Sequence, residues 1–261
     1  MDCPAPGLHF ADGTEMLLTK PYPTDVIQRP PLVLLGTEPL RAAMEFAWQK
    51  IRKPARSKRG DGHPVIFFPG LGTDGRSVAT LREHCRALGY DALDWGQGFN
   101  TGPTGDVDEW LRSLKAQVAG LLTEHPQKAT LIGWSLGGIY AREIAKLMAP
   151  RIRHVITIGT PFNAKADHSN IGWLYRLLSG TSPDIDLALS ERLVTPPPVR
   201  TTAIYSRSDG VVAWQTCRHG RRLPNVRDIE VDSSHIGMGW NRDVLAVVAD
   251  RLAHSAVLSK H

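Results

Sequence analysis

The chain has 261 residues, enough for one large domain or two small ones. Hydrophobic residues make up 42% of it, so it can bury a sizeable core and intrinsic disorder is excluded. The 31 Lys and Arg nearly balance the 26 Asp and Glu, giving a formal net charge of +5. This balance disfavours a nucleic-acid partner, because proteins that bind nucleic acids usually concentrate a basic excess on one face.

The cysteines and the N-terminus indicate the cellular compartment. Cys3, Cys85 and Cys217 lie far apart and form no Cys-x-x-Cys pair, which disfavours a disulfide scaffold and a thiolate metal site. The first residues lack the basic region and apolar core of a signal peptide. No uninterrupted apolar run approaches the roughly 18 residues of a membrane span. We therefore expect a cytoplasmic protein without an integral membrane segment.

The N-terminal part is predicted to be an arm followed by a helix. Residues 1–36 are rich in proline and show no clear period. A helix is predicted from Thr37, which can cap it, and Glu38 suits its positive N-terminal end. Pro54 stops it. The apolar residues of one helix face are Leu40, Met44, Ala47, Trp48 and Ile51. Such a stripe favours a face that docks on the core over a helix that lies in a lipid interface.

A cluster of cations follows the helix. Its members are Lys50, Arg52, Lys53, Arg56, Lys58 and Arg59. A solvated linker is the favoured interpretation, and a contact with phosphates or with an anionic membrane surface is the alternative, so peripheral lipid contact stays open. We take residues 1–60 as an arm and helix packed on the core, and residues 61–261 as the main domain.

Beyond residue 60, apolar strands alternate with amphipathic helices. Strands are predicted at residues 65–68, 91–93, 129–132, 155–158, 202–205 and 228–231. Helices are predicted at residues 77–88, 107–124, 136–148 and 242–254. This alternation predicts an α/β fold with a mostly parallel, doubly wound sheet that binds ligands at the C-terminal ends of its strands. The interval 162–200 is too long for a simple crossover and is either a decorated crossover helix or a small helical cap.

One motif predicts a nucleophile. Gly133-Trp134-Ser135-Leu136-Gly137 matches G-x-S-x-G and falls between a predicted strand and a predicted helix, as a nucleophile elbow requires. The turn is so tight that the residues two before and two after the serine must be small. The dipole of the following helix favours negative charge beside the serine. Ser135 is the predicted nucleophile.

An acid and a base follow in the order that this motif requires. Serine needs a base that is itself oriented by an acid. Asp209 and His235 come directly after two later strands, in the order serine, acid, histidine. We expect His235 to take the serine proton and Asp209 to fix the tautomer of the imidazole. His219 also follows Asp209, but neighbouring arginines would disfavour its imidazolium.

Two backbone N–H groups are predicted to form an oxyanion hole. One belongs to Leu136, directly after the serine, and the other to Leu71 in the loop after the first strand. Backbone donors leave no side-chain signature, so Leu71 is selected by its place in that loop.

The same loop supports a competing hypothesis. Gly70-Leu71-Gly72-Thr73-Asp74-Gly75 is a literal G-x-G-x-x-G after a strand, and Asp91 stands near the position of a ribose-binding acid. An NAD(P)-binding oxidoreductase is therefore an alternative. Against it, Pro69 precedes the first glycine, and no tyrosine has a lysine four positions later, as short-chain reductases do. A non-catalytic binding protein with an idle triad is a further alternative.

The chain resembles the α/β-hydrolase superfamily, in particular its bacterial lipases and carboxylesterases. The resemblance rests on residues 69–72, 100–103, 133–138, 159–162, 205–210 and 234–238. It implies hydrolysis of a small-molecule or lipid ester through an acyl-enzyme, without metal or organic cofactor, and a cap before the strand of the acid. Thioesterases and acyltransferases in the same superfamily are alternatives. Residues expected to contact the acyl group are Trp134, Trp173, Leu174 and Leu177.

Overall fold

The computed structural model describes residues 27–51, 60–163, 187–220 and 223–257. Six parallel strands in these ranges form a sheet with the spatial order β2-β1-β3-β4-β5-β6. The strands are β1 (Pro64–Phe68), β2 (Asp91–Asp94), β3 (Ala129–Trp134), β4 (Ile152–Ile158), β5 (Arg200–Tyr205) and β6 (Val226–Glu230). The predicted α/β class with a parallel, doubly wound sheet is confirmed.

Helices cover both faces of the sheet. They are α1 (Leu32–Ile51), α2 (Ala79–Ala87), α3 (Val107–Leu121), α4 (Leu136–Leu147), α5 (Leu187–Val194) and α6 (Arg242–Val257). Ile66 of β1 packs with residues of α3 and α4, and its neighbour Phe67 packs with residues of α2 and α6. Successive side chains of a strand point to opposite faces, so a strand covered on both sides is apolar at every position. In the described residues, no helix is long and apolar enough to cross a bilayer.

The sheet brings three loops to one edge. Ser135 follows β3, and the loops that contain Asp209 and His235 follow β5 and β6. Strands β5 and β6 are direct neighbours, with Tyr205 paired to Glu230 at their C-terminal ends. Because all strands run in the same direction, the loops after them leave from the same edge.

The N-terminal helix differs from its prediction at its start. It begins at Leu32, so Thr37 lies inside the helix and does not cap it. The Thr37 hydroxyl donates a hydrogen bond to the carbonyl of Val33 at 2.8 Å, one turn earlier. Pro39 lies within the helix as well, where it has no N–H to donate to the carbonyl of Leu35 in the preceding turn.

The predicted docking face of α1 is also wrong. Leu40, Met44 and Trp48 are exposed by 65%, 53% and 60%, respectively. The face that packs on the domain carries Glu38 and Glu45, whose carboxylates accept hydrogen bonds from loop backbone. The carboxylates on the inward side of this helix are therefore paired with N–H groups of the loops that they face.

The segment that returns to β5 is held by a buried arginine. Arg142 of α4 donates to the carbonyls of Leu193 and Thr195, and its guanidinium lies 3.8 Å from the centre of the Phe162 ring. This contact fixes the C-terminal end of α5 against the core. Residues 164–186, which include Trp173, Leu174 and Leu177 of the predicted cap, lie outside the described residues, as do residues 52–59 of the basic cluster.

A buried histidine lies at the edge of the sheet opposite these three loops, and it makes the stability of the fold sensitive to acid. His154 lies in β4, and its Nε2 is 3.0 Å from Oγ1 of Thr202. Burial, together with the nearby cations Arg200 and Arg251, lowers the pKa of His154 to about 3. The native state therefore keeps this imidazole neutral at pH values where an exposed histidine would be charged.

We expect His154→Gln to flatten the pH dependence of stability in acid. Above the unfolded-state pKa of about 6.5 both states hold His154 neutral, so it contributes no slope. Between about 6.5 and the folded-state value, only the unfolded chain binds the proton. Protonation of this residue therefore lowers the free energy of unfolding by about 1.4 kcal/mol for each pH unit that the solution is acidified. Urea unfolding at several pH values measures that slope. The exposed His254→Gln variant is the control, and equal slopes in all three proteins would contradict the prediction.

Candidate active site

Ser135 stands at a strained turn between β3 and α4. Its φ is +53°, and it is the one non-glycine residue with positive φ in the ranges that the structure describes. Its backbone N–H donates to the carbonyl of Ile158 on the neighbouring strand at 2.8 Å. Such a conformation costs on the order of 1–3 kcal/mol and persists only where the surroundings enforce it. The strain is a feature expected of a nucleophile elbow.

Three glycines make this turn possible. A Cβ atom on Gly133 would overlap the backbone of Gly137, and one on Gly137 would overlap the carbonyl of Phe68 at the end of β1. A Cβ atom on Gly138 would overlap the side chain of Thr160. The strand, the helix and the neighbouring loop therefore approach each other more closely than any side chain allows, which is the steric reason predicted from the motif.

An acid and an imidazole form a buried pair beside the elbow. His235 Nδ1 lies 2.7 Å from Oδ2 of Asp209, and both residues are buried. The other oxygen, Oδ1, accepts the backbone N–H groups of Val211 and Val212, each at 2.8 Å. With its proton on Nδ1 directed at the carboxylate, a neutral His235 has an unprotonated Nε2 that can act as a base.

Ser135 and His235 share the same neighbours. The indole Nε1 of Trp134 donates to the carbonyl of His235 at 3.2 Å, and the two rings lie 5.8 Å apart. A Cβ on Gly159, which follows the residue bonded to the Ser135 N–H, would lie 3.2 Å from the His235 ring. The two side chains form no hydrogen bond with each other in the described part of the chain. Such bonds are often long without substrate and tighten when it binds.

The charges around His235 favour its protonated form. Burial lowers its pKa, but the charge of Asp209, the hydrogen bond that His235 donates to Asp209 and the charge of Glu38 raise it by more, so the pKa of His235 lies above its ordinary value. His235 is therefore a stronger base than an isolated imidazole, and it loses that function at a higher pH as the solution is acidified.

The loop after β1 lies directly against the serine. A Cβ on Gly70 would be 3.2 Å from the Trp134 ring and 3.4 Å from the Cβ of Ser135. Leu71 follows in this loop. On the other side, Leu136 is the first residue of α4, and the first N–H groups of a helix have no partner within the helix. Both predicted donors thus come from segments that flank Ser135.

Comparison with known sequences identifies the family. Residues 65–258 match the profile of the family described as "Alpha/beta hydrolase family". The chain belongs to this family. The matched range contains the strained turn at Ser135 and the parallel sheet.

Curated relatives of this chain include esterases. The chain is 30% identical over 105 residues to a pimeloyl-[acyl-carrier protein] methyl ester esterase of Aliivibrio fischeri, a match that covers 39% of this chain and 38% of the relative. The enzyme of that name from Legionella pneumophila is 29% identical over 101 residues, covering 39% of each chain. These matches span about two fifths of the length of the curated relatives.

Solved structures show the same fold. A monoacylglycerol lipase from Paleococcus ferrophilus superposes with a TM-score of 0.56 at 12% identity, covering 76% of this chain and 97% of the lipase. A thioesterase domain from the curacin biosynthetic pathway superposes with a TM-score of 0.52 at 14% identity, covering 76% and 93% of the two chains. At these identities the likeness concerns the fold alone.

Asn100 is hydrogen-bonded to the loop after β1. It is not among the predicted site residues. Its Nδ2 donates to the carbonyl of Pro69 at 2.8 Å, and its backbone is bonded to Gly72 and to Thr73. The hydroxyl of Tyr140 donates to Asn100 Oδ1 at 3.2 Å. A buried asparagine needs such partners. The sequence signal was its place in the family-like segment 100–103, which does not indicate what the side chain contacts.

A second serine joins the acid loop, which contains Asp209, to the base loop, which contains His235. Ser206 Oγ accepts the backbone N–H groups of Ser208, at 3.1 Å, and of Ser233, at 3.2 Å. Ser208 precedes Asp209, and Ser233 lies two residues before His235. One hydroxyl therefore ties together the two loops on which the candidate pair depends.

The rival histidine has other partners. His219 Nδ1 lies 3.1 Å from Oδ1 of Asp228, and its Nε2 lies 3.1 Å from the guanidinium of Arg142. Its ring also packs against Phe162. These contacts give His219 a structural place beneath the segment that contains α5.

Asp91 lies at the wrong edge of the sheet for the ribose-binding acid of a dinucleotide site. Asp91 pairs in register with Pro64 at the start of β1, so it lies at the sheet edge opposite the glycine-rich loop. The residue at the C-terminal end of β2 is Asp94, whose carboxylate is bound by Arg82. A ribose-binding acid must lie at the edge that carries the glycine loop, so Asp91 cannot serve as one.

We expect Gly137→Ala to destabilise the protein by about 1–3 kcal/mol or more, because the added methyl group would overlap the Phe68 carbonyl. Gly120→Ala is the matched control. Gly120 lies in α3, with no atom within 4 Å of a Cβ placed there, so this variant should gain about 0.5–1 kcal/mol. Denaturant unfolding measures both changes. Equal stability of the two variants would show that the elbow is not sterically closed.

Proposed function

We propose that this hydrolase cleaves carboxylic esters through an acyl-enzyme on Ser135, with His235 as base and Asp209 as the orienting acid. The observation that carries the proposal is the 2.7 Å contact between His235 Nδ1 and Asp209 Oδ2, in the same buried corner as a strained serine. The names of the curated relatives support it, since they are esterases.

In the first half of the reaction, Ser135 Oγ attacks the ester carbonyl carbon while its proton moves to His235 Nε2. The carbonyl oxygen becomes an oxyanion, which accepts the N–H groups of Leu71 and Leu136. His235 then gives its proton to the alcohol oxygen as the carbon–oxygen bond breaks. The products of this half are a free alcohol and an ester of the acyl group with Ser135.

In the second half, a water molecule takes the place of the alcohol. Its proton moves to His235 Nε2 as its oxygen attacks the acyl carbon, and the same two N–H groups hold the oxyanion. The proton then returns to Ser135 Oγ as the acyl bond breaks, which releases the carboxylic acid. Asp209 keeps its carboxylate throughout and stabilises the imidazolium. Each oxyanion donor is worth about 3 kcal/mol in such reactions.

The names of the relatives and the predicted acyl contacts suggest which substrate class to test first. The curated relatives act on a methyl ester, so we propose an acyl ester of a small alcohol as the first class to test. Among the predicted acyl contacts, Trp134 lies in the described part of the chain, with its ring against Gly70 and its indole N–H on the carbonyl of His235. Trp173, Leu174 and Leu177, in the predicted cap 162–200, stay predictions.

We expect Ser135→Ala to lower ester hydrolysis by at least about 10³-fold, because the acyl-enzyme can no longer form. The measurement is a panel of p-nitrophenyl esters from acetate to palmitate, with an acyl methyl ester and an acyl thioester added. A fluorophosphonate probe should label the wild type and fail to label Ser135→Ala. Ser113→Ala, on the exposed side of α3, is the control and should behave as wild type.

Three results would change this assignment. Equal labelling of wild type and Ser135→Ala would remove Ser135 from its role. A clear preference for the thioester would favour the thioesterase alternative. An inactive, unlabelled protein that carries bound NAD(P) would favour the oxidoreductase alternative.

The pH profile tests the base. Because His235 acts when neutral, kcat/KM should fall as the pH drops through its pKa, and the raised pKa of His235 places the midpoint above that of an isolated histidine. Initial rates with a soluble ester from pH 5 to 9 measure the midpoint. A rate that stays constant down to pH 5 would exclude His235 as the base.

A further inference from the structure

Helix α1 faces the domain with its acidic side. Glu38 is buried, and Glu45, seven positions later on the same side of the helix, is half-buried. The opposite side presents exposed apolar residues to solvent. A helix on a globular surface normally packs the other way round. Something on the domain must therefore compensate for the burial of a carboxylate.

The partners of Glu38 are backbone N–H groups of the candidate site. Its Oε1 accepts the N–H of Gly210 at 2.7 Å and the N–H of His235 at 3.0 Å. Its Oε2 accepts the N–H of Ile236 at 3.1 Å. Gly210 directly follows Asp209, so a single carboxylate binds the loop of the acid and the loop of the base.

Glu45 binds the same region from the next turns of the helix. Its Oε1 accepts the N–H of Ser234 at 2.7 Å, and its Oε2 accepts the hydroxyl of Ser233 at 2.7 Å and the amide of Asn241 at 2.9 Å. These partners include the two residues before His235. The base is therefore held on both sides in the chain, by Glu45 before it and by Glu38 at and after it.

The position of the helix is fixed along its length. A Cβ on Gly210 would lie 2.5 Å from the backbone of Leu34, and one on Gly237 would overlap the carboxylate of Glu45. The indole of Trp240 donates to the carbonyl of Ala42 at 3.0 Å. Two glycines and a tryptophan of the acid and base loops thus pack closely against α1 in the position in which both carboxylates accept their hydrogen bonds.

We propose that Glu38 and Glu45 are positioning residues of the active site, through which α1 sets the orientation of His235 relative to Asp209 and Ser135. The inference rests on the proposed function, because orienting His235 matters only if His235 is the base. Neither glutamate is expected to contact substrate.

The charged groups around His235 give this role its own readout. Asp209 faces the imidazole from the acid loop and Glu38 from α1, while Arg41 lies 3.7 Å from Glu38 on the same helix and Glu45 is bonded to Ser234. Burial lowers the pKa of His235, and Asp209 and Glu38 raise it. Loss of the Glu38 charge should therefore move that pKa downward, whereas a loss of folding stability alone would not.

The experiment compares Glu38→Gln, Glu45→Gln and the control Glu83→Gln, an equal change of charge at an exposed position of α2. Glu38→Gln should lower kcat by about 10- to 100-fold at unchanged KM, the scale seen when a catalytic group is slightly misplaced. The midpoint of its kcat/KM profile should move to lower pH. Glu45→Gln should lower kcat with a smaller movement of the midpoint, since Glu38 is kept. Glu83→Gln should match the wild type.

Two further measurements separate the possible failures. NMR titration of His235 in each variant gives its pKa without any substrate, so it tests the contact with Glu38 even if the wild type hydrolyses no ester. Thermal unfolding shows whether each variant is folded at the assay temperature. If Glu38→Gln does not fold, Glu45→Gln carries the test through its kcat. A folded Glu38→Gln, or failing that a folded Glu45→Gln, with wild-type kcat and wild-type His235 pKa would overturn the proposal.

Discussion

Buried carboxylates that accept backbone N–H groups hold the candidate site together. Asp209 receives two N–H groups on one oxygen and His235 on the other. Glu38 accepts hydrogen bonds from the backbone N–H of Gly210, which follows Asp209, and from the backbone N–H of His235 itself. A carboxylate without donors is costly to bury, so each one must keep its partners for the fold to close. The acid and base loops are consequently tied to each other and to α1, and cannot adjust separately.

The parts of the molecule that depend on short-range constraints follow from the sequence. β1 and β3 are apolar at successive positions because helices cover both faces, and this pattern is visible in a few residues. The glycines around Ser135 are required by contacts within the strand-turn-helix unit and with the end of β1. Ser135, Asp209 and His235 each come after a strand, and because the described strands are parallel, all three lie at one edge of the sheet.

The parts that depend on distant contacts do not follow from it. Periodicity assigns the apolar side of α1 to the core, since it cannot register that Glu38 meets Gly210, which is 172 positions away. It also places the start of α1 at the capping residue Thr37, although the helix extends to Leu32. The glycines of Gly70-Leu71-Gly72-Thr73-Asp74-Gly75 mislead for a related reason. Gly70 is small because Trp134 and Ser135 lie against it, and no phosphate is needed to explain it.

The position of α1 relative to the family match has a physical consequence. The profile of the family begins at residue 65, after α1, and yet this helix supplies Glu38 and Glu45 to the loops that the family match contains. The elbow and the sheet are fixed by close packing within the matched range. The base loop is bonded to Ser206 and Asp209 within the matched range and to Glu38 and Glu45 outside it. Because hydrogen bonds to a carboxylate depend on charge as well as on shape, α1 acts on the protonation of His235 through Glu38, whose charge adds to the larger contribution of Asp209.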